Sequence, residues 1–191
     1  MVKCALCKNK DCYGGKDCFS IKDKIEYSGD DLRSMEVSAS IESRYYMEKT
    51  RLEELIIYAK EMGYSKLGLA FCVGFEKEAS IVNRILSKDF DVCSVCCKVG
   101  GIPKSKYGLE QLHGDGFEAT CNPLGQAMIM NQEKTELNII LGLCIGHDIV
   151  FTNNSNAPVT TFAVKDRVLT HNPLGAIYSR YYRKKRFGLD D

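Results

Sequence analysis

No stretch of this chain stays apolar for the roughly 20 residues that a bilayer-spanning helix needs. Its start, Met1-Val2-Lys3-Cys4, lacks the apolar core of a secretory signal. Neither sign of charge is in excess, with 26 Lys plus Arg against 25 Asp plus Glu. That balance removes any whole-chain electrostatic argument for nucleic acid or an anionic membrane. These absences predict a cytoplasmic protein with no membrane partner. In that compartment disulfides are rare, and clustered cysteines point to metal or redox chemistry. What the chain does have is cysteine: ten in 191 residues, with a hydrophobic content of 45% that fits one globular domain and a small appendage.

The cysteines form two sets. Cys4, Cys7, Cys12 and Cys18 crowd the first eighteen residues, a polar stretch too poor in aliphatics to build a core. Their spacing is close to that of a zinc knuckle with cysteine in place of histidine. Tyr13-Gly14-Gly15 provides a turn before the last ligand. Four thiolates suit tetrahedral zinc, and metal binding can fold a segment that has no core. Residues 1–20 are therefore expected to be a zinc-binding module, and residues 21–191 an α/β domain.

In that second region the chain alternates between strand-like and helical patterns. Ser28-Gly29-Asp30-Asp31 supplies helix-capping residues. Leu52, Leu55, Ile56, Ala59 and Met62 then make one helical stripe that ends at Gly63, so a long helix is expected. Strands are predicted over 66–73, 91–97, 137–144 and 159–164. Helices are predicted over 75–86, 123–132 and 173–182, with a short helical turn over 148–154. Near-continuous apolar strands between helices imply a three-layer sandwich around a mostly parallel four-stranded sheet.

The second cysteine set lies where those strands end. Phe71-Cys72-Val73-Gly74, Cys96-Cys97-Lys98-Val99-Gly100 and Leu143-Cys144-Ile145-Gly146 each place a thiol just before a turn. Ligands of an open parallel sheet bind outside the carboxyl ends of its strands. Thr120-Cys121-Asn122-Pro123-Leu124-Gly125 is echoed by Thr170-His171-Asn172-Pro173-Leu174-Gly175, and both read as helix starts preceded by a ligand-type side chain. His147 and Asp148 follow the third strand.

The expected crevice therefore carries Cys72, Cys97, Cys121, Cys144, His147 and His171 as candidate catalytic groups. Three readings stay open. Cys72, Cys96, Cys97, Cys121 and Cys144 could supply the ligands of an iron–sulfur cluster, a second zinc or other soft metal could bind there, or the thiols could react without metal. Cys93, inside its strand, reads as core. A small-molecule substrate would enter at this edge, where Lys165-Asp166-Arg167 also points. Segment 100–119, with Lys98, Lys104 and Lys106 nearby and His113 inside it, reads as a solvated loop or lid. The tail from Arg180 to Phe187 interleaves basic and aromatic residues. RNA is one partner for such a tail; a charged helix end is the simpler reading.

Ala70-Phe71-Cys72-Val73-Gly74, Val95-Cys96-Cys97-Lys98-Val99-Gly100-Gly101, Cys121-Asn122-Pro123, Gly142-Leu143-Cys144-Ile145-Gly146-His147-Asp148, Ala157-Pro158-Val159-Thr160-Thr161 and His171-Asn172-Pro173 together resemble domain-of-unknown-function family eighteen forty-seven. The similarity runs over nearly the whole chain, N-terminal cysteines included. Members are described as metal-binding on the strength of those cysteines, and no reaction is assigned to them. The resemblance thus implies metal binding. The expected function is a metal-binding protein with a thiol-rich second site suited to redox or sulfur-transfer chemistry. The alternative is a non-catalytic metal sensor or carrier, or an RNA-associated zinc module.

Overall fold

The structure is a computed structural model that describes residues 1–112, 114 and 116–189, so His113 lies outside it. Four strands form one sheet: β1 (Lys66–Phe71), β2 (Asp91–Cys96), β3 (Leu137–Leu141) and β4 (Val159–Ala163), in the order β2-β1-β3-β4. Every pairing is parallel. The expected α/β architecture is therefore present, and the sheet is wholly rather than mostly parallel.

Six α-helices accompany the strands among the described residues: α1 (Gly29–Tyr45), α2 (Arg51–Met62), α3 (Glu76–Leu86), α4 (Pro123–Gln132), α5 (His147–Asn154) and α6 (Leu174–Tyr178). The single long helix expected before β1 is instead two. The chain breaks at Tyr46–Thr50, where Met47 takes a left-handed backbone with φ of 60°. Thr50 then restarts the helix with a reciprocal cap. Its hydroxyl accepts from the Glu53 amide, while the Glu53 carboxylate accepts from the Thr50 amide. This is the capping-box pairing, and it explains why the apolar stripe is clean only after residue 51.

The order of the strands fixes the layers. β1 passes through α3 to β2 on one side, and the chain then crosses back through α4 to β3 on the other side of β1. Right-handed crossovers in opposite directions put α3 and α4 on opposite faces. β3 is consequently buried along its whole length, as is β1 except at its two end residues. Leu67, Leu69, Leu86, Met130, Ile139, Leu141 and Phe151 are among the most deeply enclosed side chains.

Two buried polar side chains hold the layers in place. Asn138 of β3 accepts from the Thr135 hydroxyl at 2.7 Å and donates to Ser155 Oγ at 2.8 Å. Gln126 of α4 donates through Nε2 to the carbonyls of Val95 at 2.7 Å and Phe71 at 3.2 Å. That second pair ties α4 to the carboxyl ends of β1 and β2. By contrast, every residue from 1 to 33 is exposed. The N-terminal segment contributes nothing to the core.

Gly68 in β1 permits the approach of α4 to the sheet. A β-carbon there would collide with Asn138 Oδ1 and lie 2.8 Å from Met130 Sδ. The Gly68→Ala substitution is therefore expected to cost about 1–3 kcal/mol, as overpacking of a filled core does. A lowered urea midpoint with an unchanged m-value checks this. An unshifted midpoint would contradict the packing described here.

A candidate thiol site at the carboxyl edge of the sheet

β1 lies at the point where the strand order reverses, with β2 on one side and β3 on the other. Crevices form at such a point, outside the carboxyl ends of the strands. The register places thiols there. Phe71 pairs with Cys96, and the ladder continues one step further, since the Cys97 amide donates to the Phe71 carbonyl at 2.8 Å. Cys72, whose amide donates to Leu141 at 3.1 Å, is thereby set beside Cys97. The chain then returns after the 100–119 segment, and the Asn122 amide donates to the Cys97 carbonyl at 2.7 Å, which brings Cys121 to the other side of Cys97. Three residues far apart in sequence thus meet because two strands end in register and a third segment docks on the second.

Their sulfurs form a row. The side chain of Cys97 acts on both Cys72 and Cys121, whereas Cys72 and Cys121 influence each other only as charges. Cys97 also accepts from the Val73 amide at 3.3 Å. The ends of the row hold thiolate: Cys97 brings Cys72 down to about 5, helped by the Gly74 amide and Lys165. The same side chain, then Lys98 and His147, brings Cys121 down to about 5. Cys97 moves the opposite way, far above an ordinary thiol, because Cys121, then Cys72, and then burial all favour its protonated form.

Cations line the row. Lys98 Nζ is anchored on the Ala119 carbonyl at 2.6 Å, next to Cys121. Lys165 lies 4.4 Å over the Phe75 ring and reaches Cys72. Arg167 donates to Cys144 Sγ at 3.1 Å, and its pKa is raised first by that bond and further by the charges at Cys72 and Cys121. Phe75 itself is locked from below: a β-carbon on Gly142, whose φ is +70°, would fall into its ring.

The remaining candidates divide. Cys144 takes part through Arg167 rather than by a bond to the other sulfurs. His147 begins α5 and acts on Cys121 through charge alone. His171 packs on Phe75, with ring centroids 4.2 Å apart, and its Nδ1 accepts from the Asp166 amide at 3.1 Å, which leaves only Nε2 for another partner. Cys96 sits apart. It lines, with Cys93, Lys66 and Glu133, a groove of about 790 Å³ along the outer strand β2.

The echoed hexapeptides also part company. Asn122 caps α4 by accepting from Gly125 at 2.8 Å, but Thr170 and His171 are left-handed and Asn172 makes no side-chain cap. In the basic tail, Arg183 donates to the Ile177 and Tyr178 carbonyls at 2.7 and 3.1 Å, closing the end of α6 as a charged helix terminus does.

Cys4, Cys7, Cys12 and Cys18 are exposed thiols on short turns. Lys10 Nζ gathers the Cys4 and Cys7 carbonyls at 2.6 and 2.7 Å, while Cys18 Sγ faces the Lys16 carbonyl at 3.8 Å. Among the described residues, no three or more His, Cys, Asp or Glu side chains are arranged to hold a metal ion. Gln126 and Phe75 were not among the sequence candidates. A glutamine at an otherwise apolar position of a core helix was the available signal, since such a residue must find buried partners.

The model of a family described as a protein of unknown function, DUF1847, matches residues 16–162. Cys18 and the whole thiol row lie inside that match, while Cys4, Cys7, Cys12 and His171 lie outside it. An uncharacterized protein of Methanocaldococcus jannaschii is 56% identical over 188 residues, which cover 96% of this chain and 97% of the relative. No solved structure matches the chain. By the extent of both likenesses, the chain belongs to the family DUF1847.

Proposed function

We propose that this protein works through the row Cys72–Cys97–Cys121 as a thiol redox or sulfur-transfer protein. One observation carries the reading: Cys72, Cys97 and Cys121 meet at the carboxyl edge, with Cys97 favoured as the thiol between two neighbours lowered toward thiolate. Thiolate is the nucleophilic form, and a buried neighbour at bonding distance is what resolves a mixed disulfide. Cys121 is the half-buried member, whereas Cys72 and Cys97 are 7% and 2% exposed, so a substrate meets Cys121 first. Ten free cysteines suit a reducing cytoplasm.

The same sulfurs are the donors expected for an iron–sulfur cluster or a second metal, and their softness fits such a group. Their arrangement favours thiol chemistry instead. Sulfurs in a proton-sharing row are set for S–S bond formation, whereas a cluster needs its thiolates spread around the irons. Cys144, engaged by Arg167, would have to be freed to join them.

A second site is supported by a separate observation. Residues 1–33 hold no buried side chain, yet two tight turns, Cys4–Leu6 and Asp11–Gly14, fall among four thiols closely spaced in sequence, and Lys10 clamps the carbonyls of two of them. A segment without a core is held by a ligand when it is held at all. Zinc is the ion that the Cys4, Cys7, Cys12 and Cys18 donors fit by chemistry, in a structural role.

Two outcomes test these readings. Alkylation by iodoacetamide, mapped by mass spectrometry, should label Cys121 at pH 6–6.5 roughly tenfold faster than an ordinary thiol, whose pKa near 8.5 leaves it about 1% ionised or less there, the lower nucleophilicity of a low-pKa thiolate offsetting part of its larger ionised fraction. The rate should fall only as pH drops through about 5, where Cys121 takes up its proton. A Cys121 profile with its midpoint near 8.5 would end the thiol reading. For the second site, protein purified without oxygen should carry about one equivalent of zinc and no labile sulfide, from the four-cysteine stoichiometry of a structural site. Its removal by chelator should leave the Cys121 profile unchanged. Zinc retained in full by a Cys4→Ser, Cys7→Ser variant would contradict the assignment.

A further inference from the structure

The order of burial along the row implies an order of reaction. Cys121 is partly open, Cys97 behind it is enclosed, and Cys72 lies beyond Cys97 on the neighbouring strand. Cys97 stands between the other two: its amide donates to Phe71, next to Cys72, and its carbonyl accepts from Asn122, next to Cys121, so an S–S bond passed along the row runs through it. Neighbouring parallel strands run about 4.8 Å apart, which lies within the Cα separation that a disulfide spans. Cys72 and Cys97 stand one step past the paired residues Phe71 and Cys96 on such strands. The mouth of the row is cationic: Lys98 and His147 bear on Cys121, and Arg167 lies beside them on Cys144.

We infer that Cys121 is the entry thiol of an internal disulfide relay that reduces a small disulfide carrying anionic groups, and that the bond so formed passes inward to Cys72 and Cys97. The inference rests on the thiol reading of the site and adds its direction and substrate class. In the first step the Cys121 thiolate attacks one sulfur of the substrate disulfide. The substrate S–S bond breaks, one half leaves as a thiolate, and the other half is joined to Cys121. Cys97 gives its proton to the departing thiolate and then attacks Cys121 Sγ. This expels the second half, which leaves as a thiolate and takes its proton from solvent, and a Cys97–Cys121 disulfide remains. In the last step the Cys72 thiolate attacks Cys97 Sγ and expels the Cys121 thiolate, leaving a Cys72–Cys97 disulfide. Two electrons pass from protein to substrate, the substrate becomes two thiols, and Cys121 is again free at the mouth. Thiol–disulfide exchange requires no other reactant.

The experiment uses the full reduced chain at pH 6, where ordinary thiols are slow, with one equivalent of 5,5′-dithiobis(2-nitrobenzoate), a dianionic disulfide, and peptide mapping under non-reducing conditions. The wild type should end with Cys72 joined to Cys97. Cys72→Ser should stop with Cys97 joined to Cys121, and Cys97→Ser should retain thionitrobenzoate on Cys121. Cys121→Ser, which leaves the enclosed Cys97 in place, should slow the release of thionitrobenzoate at least tenfold. Of two alkyl disulfides, dianionic 3,3′-dithiodipropionate should react roughly tenfold faster with the wild type than cationic cystamine, although the cystamine thiol is the better leaving group, and Lys98→Gln should narrow that ratio. Entry through Cys144 or Cys72, an unchanged rate in Cys121→Ser, or equal rates for the two disulfides would overturn the relay while leaving a reactive row. Absence of any reaction at Cys72, Cys97 and Cys121 would overturn the thiol reading beneath it.

Discussion

The site depends on one backbone interaction, the hydrogen bond from the Cys97 amide to the Phe71 carbonyl. It extends the parallel register of β1 and β2 one residue past the strands and sets Cys72 and Cys97 side by side. A register slip of one residue would turn Cys97 to the opposite face of the sheet. Gln126 guards against that slip from within the core, because its amide group binds the Phe71 and Val95 carbonyls together. The docking of Cys121 follows from the same place, through the bond of the Asn122 amide to Cys97. Sheet geometry, a buried glutamine and a helix cap therefore converge on the position of one sulfur.

Electrostatics turn that position into chemistry. A thiol drawn even partly out of water without a stabilising neighbour resists ionisation, as at half-buried Cys93, where desolvation is the first cause of a raised pKa. Cys72 is buried and Cys121 half-buried, yet they move down, because Cys97 and nearby cations outweigh desolvation. The difference between Cys93 and these two is neighbourhood rather than burial. The N-terminal thiols belong to a separate arrangement, outside the core and exposed from end to end.

Much of this was legible in the sequence. Apolar strands alternating with helices required a parallel sheet, and thiols at equivalent strand ends required a shared edge. Cys72, Cys97 and Cys121 meet there for those reasons. Cys96 shows where strand-level reasoning failed. It is adjacent to Cys97, but successive strand residues face opposite ways, and it lines the β2 groove instead. His171 shows the limit of repeated motifs. Its hexapeptide echoes that of Cys121, yet a left-handed backbone and an Asp166 contact send it to Phe75. The role of Arg167 at Cys144 was visible only as a direction, since a sequence does not say which sulfur a guanidinium will choose.

Crystals of the reduced, anaerobically purified protein, measured at long wavelength for the anomalous signal of sulfur, test the central claim directly. The account predicts three sulfur peaks in a row, with Cys97 between Cys72 and Cys121, each neighbour within about 4 Å of it as hydrogen-bonded sulfurs require, and no denser peak among them. A metal or cluster peak bonded to Cys72, Cys97 and Cys121 would contradict it.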